Sequence, residues 1–144
     1  MIYEKQLTVA SGKTEQAPAT AGLPVSVGVI TVVGWFWPRG TKGAGHLRIK
    51  HPLGTIYPSN PESSLTGNGE YQAFPTWYEV RTSGTKIGLE GWNEGSYDHT
   101  VTVRLNLLPF KVAFAEQDLL QEMRDYNELV RQLWLRPRKV KAVK

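Results

Sequence analysis

Apolar and polar residues alternate in short segments over most of the chain. The clearest segment is residues 97–109, in which every second position is apolar: Val101, Val103, Leu105 and Leu107. A period of two is typical of a β-strand with one buried face. Similar alternation, or β-branched and aromatic content, predicts further strands at 2–9, 25–37, 46–51, 56–57, 71–74, 77–81 and 86–92.

Turns rich in glycine and proline separate these segments, and no helical pattern lies between them. Residues 10–22 are small and polar, and residues 51–70 hold several prolines and glycines, so both are predicted to be mostly loop. Many short strands without intervening helices favour an antiparallel β-sandwich or jelly-roll-like domain. We expect this mainly β domain to cover residues 1–110.

The pattern changes after the last predicted strand. Residues 115–135 contain no Gly or Pro, and their apolar residues recur at spacings of four and three, which predicts an amphipathic α-helix. The apolar stripe consists of Leu119, Met123, Tyr126, Val130 and Leu133. The predicted organisation is therefore a β-domain at 1–110, a helix at 111–135 and a basic tail at 136–144.

Positive charge is concentrated in that tail. The whole chain has a net charge of +4, from 17 basic and 13 acidic residues. The tail holds five basic residues and no acidic one: Arg136, Arg138, Lys139, Lys141 and Lys144. The rest of the chain is close to neutral, so a basic nucleic-acid face is not predicted. We expect the tail to contact an acidic partner surface.

The stretch VVGWFWP, residues 32–38, is apolar on both sides of its predicted strand. If the strand is regular, one face carries Val29, Val33, Trp35 and Trp37, and the opposite face carries Ile30, Val32 and Phe36. Such a strand needs a cover on each face. The core supplies one cover, and the second is either the C-terminal helix or a neighbouring subunit, with Gly34 allowing a close approach.

Tryptophan is frequent at interfaces, because its large ring is buried while its N–H finds a partner. The alternatives for these rings are the protein's own core and a platform that stacks on sugars or bases. The predicted interface residues are Trp35, Phe36, Trp37, Leu119, Met123, Tyr126, Val130, Leu133 and Trp134.

Candidate catalytic and metal-binding groups do not form a recognisable set. Cysteine is absent, and His46 and His51 are predicted to point to opposite faces of a strand. Ser96, Asp98 and His99 are too close in sequence to converge as a triad. No catalytic residue, metal or cofactor is predicted, and no segment is apolar enough to predict a membrane span. We therefore expect a protein that is not an enzyme.

Three motifs resemble a group of small structural proteins of tailed phages. They are FWPRGTKGAGHLRI, YPSNPE and WNEGSYDHTVTVRLNLLP, within residues 1–109. In the third motif the matching residues are Trp92, Asn93, Glu94, Tyr97, His99, Thr100, Leu108 and Pro109. Gly95 departs from the pattern, which has an acidic residue at that position.

The resemblance implies a head decoration protein, located in the virion after synthesis in the host cytoplasm. Such proteins are small β-domains, often trimers, that bind the major capsid protein across capsomer joints. We therefore expect a non-enzymatic homo-oligomer that stabilises a phage capsid, with nucleic acid an unlikely partner. The alternative function is a carbohydrate- or receptor-binding module of a phage tail, which predicts exposed Trp or Tyr rings in a groove.

Overall fold

The computed structural model describes residues 1–60, 62–115 and 121–128. In residues 1–113 of the described chain, the elements in order are β1 (Ile2–Val9), β2 (Ala19–Pro24), β3 (Gly28–Phe36), β4 (Gly45–His51), β5 (Gly54–Tyr57), β6 (Tyr71–Val80), β7 (Lys86–Asn93), β8 (His99–Leu108) and the short helix α1 (Phe110–Ala113). The chain divides into two compact units, Met1–Phe110 and Lys111–Lys144.

The first unit is a sandwich of two antiparallel four-stranded sheets. One sheet has the strand order β1-β8-β3-β6, and the other has the order β2-β7-β4-β5. Alternate residues of both sheets meet in one hydrophobic core, which the apolar face of β8 enters from the first sheet and Leu47 and Ile49 of β4 enter from the second. The predicted mainly β, antiparallel architecture is confirmed.

An irregularity in β3 changes which of its residues face the core. The register with both neighbouring strands shifts between Ile30 and Val32. Ile30 consequently joins Val33, Trp35 and Trp37 in the core, whereas Val29 is buried outside that cluster. The prediction that Val29 shares a face with the tryptophans, with Ile30 opposite, is therefore wrong, because it assumed an uninterrupted alternation.

Two strands differ from the prediction in their extent. β2 lies within and just beyond the predicted 10–22 loop and pairs along its whole length with β7. Its Ala, Thr and Gly residues carry little apolar alternation, so pairing with β7 decides its conformation. β6 joins the two predicted segments 71–74 and 77–81 through Pro75, which is tolerated because β6 is an edge strand of its sheet.

The second unit is helical over residues 121–128. This agrees with the helix predicted for that part of the chain. Met123 and Tyr126, two residues of the predicted apolar stripe, have exposed side chains. The other predicted interface residues of this unit, and all of the basic tail, lie outside the described residues: Leu119, Val130, Leu133, Trp134, Arg136, Arg138, Lys139, Lys141 and Lys144.

Candidate functional site

Trp35 and Trp37 lie inside the sandwich, with side chains 3% and 0% exposed. The indole N–H of Trp35 donates to the carbonyl of Thr66 at 2.9 Å, and that of Trp37 donates to the carbonyl of Leu65 at 3.3 Å. Both rings therefore have their polar group satisfied within the chain. The prediction that these two residues contribute to an interface is wrong, because the shifted register of β3 carries them into the core.

Phe36 is half-buried on the outer face of the β1-β8-β3-β6 sheet, opposite Tyr71 of β6. Gly34 lies two residues earlier on the same face. A Cβ atom added to Gly34 would be 2.0 Å from the Tyr71 hydroxyl oxygen and 2.6 Å from its Cζ. The tip of the Tyr71 ring therefore lies directly against the β3 backbone, and this contact requires glycine. Gly34 does admit a close approach, as predicted, but the group that approaches it is Tyr71 of the same domain.

An ion pair crosses the outer face of the same sheet. The Nε and Nη2 atoms of Arg104 donate to one carboxylate oxygen of Glu4, Oε2, at 3.0 and 2.6 Å. The Arg104 guanidinium carbon also lies 5.8 Å from the centroid of the Tyr71 ring. The hydrogen bond from Arg104 to Glu4 raises the pKa of the guanidinium above its ordinary value, so Arg104 is a permanent cation.

These side chains border a groove of about 360 Å³. Its lining residues come from all four strands of the sheet: Glu4 and Gln6 of β1, Thr102 and Arg104 of β8, Phe36 of β3 and Tyr71 of β6. Tyr71 is 52% exposed, so its ring offers apolar surface to this groove. The groove combines aromatic surface with hydrogen-bonding groups.

The outer face of the second sheet holds a different cluster, centred on Trp92. The rings of Trp92 and His46 are stacked, with centroids 5.1 Å apart and planes inclined by 3°. The guanidinium carbon of Arg48 lies 4.7 Å from the centre of the Trp92 ring. Arg48 also pairs with Glu15 at 2.6 Å, and its Nε donates to the carbonyl of Ser63 at 3.0 Å. The cluster thus fastens the loop that carries Glu15 to the sheet.

The polar atoms of the His46 ring face other side chains of the same domain. His46 Nδ1 is 2.8 Å from the hydroxyl of Ser64, and Nε2 is 3.7 Å from a carboxylate oxygen of Glu94. That nitrogen is buried and has no hydrogen-bond partner among the described residues. Because Trp92 is itself nearly buried beneath these side chains, it does not offer an open stacking platform.

The motif that carries the phage resemblance forms a structural joint at the β7–β8 turn. The buried Asn93 side chain donates to the Tyr97 carbonyl at 2.7 Å and accepts from the Gly95 N–H at 2.9 Å. Asp98 accepts from the backbone N–H of Ser11 at 2.8 Å, which ties the turn to the loop after β1. The contacts therefore give these residues an architectural role.

The three carboxylates near this turn have separate partners. Glu90 pairs with Lys50 at 2.8 Å, whereas Glu94 approaches His46 and Asp98 binds Ser11. Over residues 1–60, 62–115 and 121–128, no group of three or more acidic, histidine or cysteine side chains is placed to hold a metal ion. In the same part of the chain, no helix is long and apolar enough to cross a membrane.

The groove residues could not be grouped from the sequence, because Glu4 and Arg104 are 100 residues apart. Two signals pointed toward the site: both residues lie on polar faces of predicted strands, and Gly34 interrupts an apolar strand. What was missing was the strand order, since β1 and β8 become neighbours only through the topology of the sheet.

The fold defines an antiparallel β-sandwich protein with a groove on the outer face of one sheet. No family model matches this chain, and no curated protein matches it either. A solved structure titled "Crystal Structure of FLHE" is similar over 74% of this chain and 96% of that chain, at 12% sequence identity and a TM-score of 0.41. This similarity carries no information about the activity of the chain.

Proposed function

We propose that the protein is a non-enzymatic structural protein that decorates a phage capsid. It would self-associate and bind the major capsid protein across capsomer joints. The proposal rests on the resemblance of residues 1–109 to tailed-phage proteins and on the exposed aromatic side chains of one strand. The first support supplies the viral context, and the second supplies surface available to a protein partner.

The observation that carries the proposal is the exposure of aromatic residues along the edge strand β6. Phe74 and Trp77 are 45% and 55% exposed, and the Phe74 ring also stacks on Trp35, with centroids 5.6 Å apart. Aromatic residues are enriched in the cores of protein interfaces, where each buries a large area. We therefore place the protein-binding surface on β6, in place of the buried Trp35 and Trp37.

The mechanism requires no chemical step. A protein that binds the assembled shell, but not its separated subunits, stabilises the shell by mass action. The basic tail, from Arg136 to Lys144, would add contacts to an acidic surface and would make binding depend on salt concentration.

Shell melting tests this function directly. Shells of the major capsid protein encoded by the same genome would be heated in a calorimeter, with and without the full-length protein. We expect a higher melting temperature with the protein present, and a smaller increase with Trp77→Ser. Tyr97→Ser, which removes an exposed aromatic outside β6, is the matched control. An unchanged melting temperature at saturating protein contradicts the proposal.

A further inference from the structure

We propose that the groove around Tyr71 is a binding site for a neutral saccharide. This inference is separate from capsid decoration, since it concerns the outer face of the β1-β8-β3-β6 sheet and a small hydroxyl-rich ligand. It rests on three features of the groove: a fixed aromatic platform, an ion pair with unused hydrogen-bonding atoms, and a balanced charge.

The aromatic platform is the Tyr71 ring. Its tip rests on the β3 backbone at Gly34, so the ring is supported from below by the sheet, while 52% of the residue remains exposed. Phe36 lies directly across from Tyr71 in the strand pairing and adds apolar surface beside it. The Arg104 guanidinium carbon lies over this ring, 5.8 Å from its centroid, so a sugar would stack on the ring surface that Arg104 leaves exposed. A supported ring is suited to such stacking, because little further ordering of the ring is needed on binding.

The polar groups of the groove match paired hydroxyls. Both hydrogen bonds of the ion pair end at Oε2 of Glu4, so Oε1 of Glu4 and Nη1 of Arg104 have no hydrogen-bond partner among the described residues. The ion pair places these two groups next to each other, which leaves the acceptor oxygen Oε1 and the two N–H donors of Nη1. The Gln6 amide and the Thr102 hydroxyl add two further groups that both donate and accept.

The charge of the groove argues for a neutral ligand. Its lining holds one cation, Arg104, and one anion, Glu4, which neutralise each other. A phosphate backbone or an acidic peptide needs an excess of positive charge, which this lining lacks. A basic peptide needs an excess of acidic groups, which is equally absent from this lining. The ligand that fits this lining is therefore an uncharged ring that stacks on Tyr71 and carries hydroxyl groups that hydrogen-bond to Glu4 and Arg104.

Binding is tested on the full-length protein by NMR, with backbone amide shifts followed during titration. The probes are cellohexaose, maltohexaose and chitohexaose, with a heparin hexasaccharide and an oligothymidylate as anionic counterparts. We expect at least one neutral hexasaccharide to shift amides of β1, β8, β3 and β6 around the groove at up to millimolar concentration. Tyr71→Ala and Glu4→Gln should each weaken that binding roughly tenfold or more.

Two variants separate the site from a general loss of structure. Tyr71→Phe keeps the ring and should retain binding within a few-fold, whereas Tyr97→Ala removes an exposed tyrosine elsewhere and should leave binding unchanged. The inference is overturned if none of the three neutral sugars shifts the groove amides at millimolar concentration. Binding of heparin or oligothymidylate alone would also overturn it. Either result leaves the shell-melting test of capsid decoration unaffected.

Discussion

Because Gly34 and Tyr71 are in contact, the effect on stability of a substitution at Gly34 should depend strongly on whether Tyr71 is present. Gly34→Ala places a methyl group where the Tyr71 hydroxyl now lies, since the new Cβ would be 2.0 Å from that oxygen. Gly34 does not have a positive φ, so alanine itself fits the backbone of β3. The cost of the substitution therefore comes from moving the Tyr71 ring, which is exposed enough to swing away.

The magnitude follows from two opposing contributions. Replacing glycine by alanine at a compatible position stabilises by about 0.4–1 kcal/mol, because the unfolded chain loses freedom. Displacing a packed side chain costs about 1–3 kcal/mol. We expect Gly34→Ala to lower the free energy of unfolding by about 1 kcal/mol. In a Tyr71→Ala background the clash is absent, and Gly34→Ala should then raise the free energy of unfolding by about 0.5 kcal/mol.

The assay is a double-mutant cycle, measured by urea unfolding of the four full-length proteins and checked for equal m-values. The expected coupling between the two positions is about 1.5 kcal/mol. Gly34→Ala should also weaken saccharide binding, although every groove side chain is retained. If Gly34→Ala has the same effect with and without Tyr71, the two residues are not in contact, and the argument for a supported ring fails.

Three further predictions concern other parts of the sandwich. Glu15→Gln should lower the free energy of unfolding, measured by chemical denaturation, by about 1 kcal/mol. The reason is that the ion pair it removes is partly buried, since the side chain of Arg48 is 11% exposed and that of Glu15 is 49% exposed. An unchanged stability would show that the loop is held by other contacts. Asn93→Ala should lower the free energy of unfolding by about 3 kcal/mol, since it leaves the Gly95 N–H and the Tyr97 carbonyl without their hydrogen-bond partner. A loss smaller than that of an average surface substitution would show that Asn93 does not hold the β7–β8 turn. Burial raises the pKa of the Tyr78 hydroxyl above its ordinary value of 10.0, so the folded state holds this proton more tightly than the unfolded state. The free energy of unfolding should therefore fall as the pH rises above 10.0, and it should fall less steeply in Tyr78→Phe. Equal pH profiles for the wild-type protein and Tyr78→Phe would contradict the raised pKa.

Strands with one polar and one apolar face could be predicted well from the sequence. In β8 and β4, burial alternates with the residue pattern, and the predicted faces are the observed ones. Prediction failed where a strand owes its conformation to its neighbour, as in β2, or where alternation is interrupted, as in β3. Neither feature can be predicted from a local sequence pattern, because pairing partners and register shifts are properties of the whole sheet.

The same limit explains why the aromatic stretch at residues 32–38 was only partly understood. The two apolar faces predicted that β3 needs a cover on each side, and the outer-face residue Phe36 is half-buried in the domain. The register shift then decides which ring is enclosed: Trp35 and Trp37 fill the core, and Phe36 remains on the outer face. The second cover is supplied in part by Tyr71, which reaches across to Gly34. Gly34 was predicted to allow the close approach of a helix or a second subunit, and in the structure it accommodates the Tyr71 ring of its own domain. That ring is the surface on which we expect a ligand to stack.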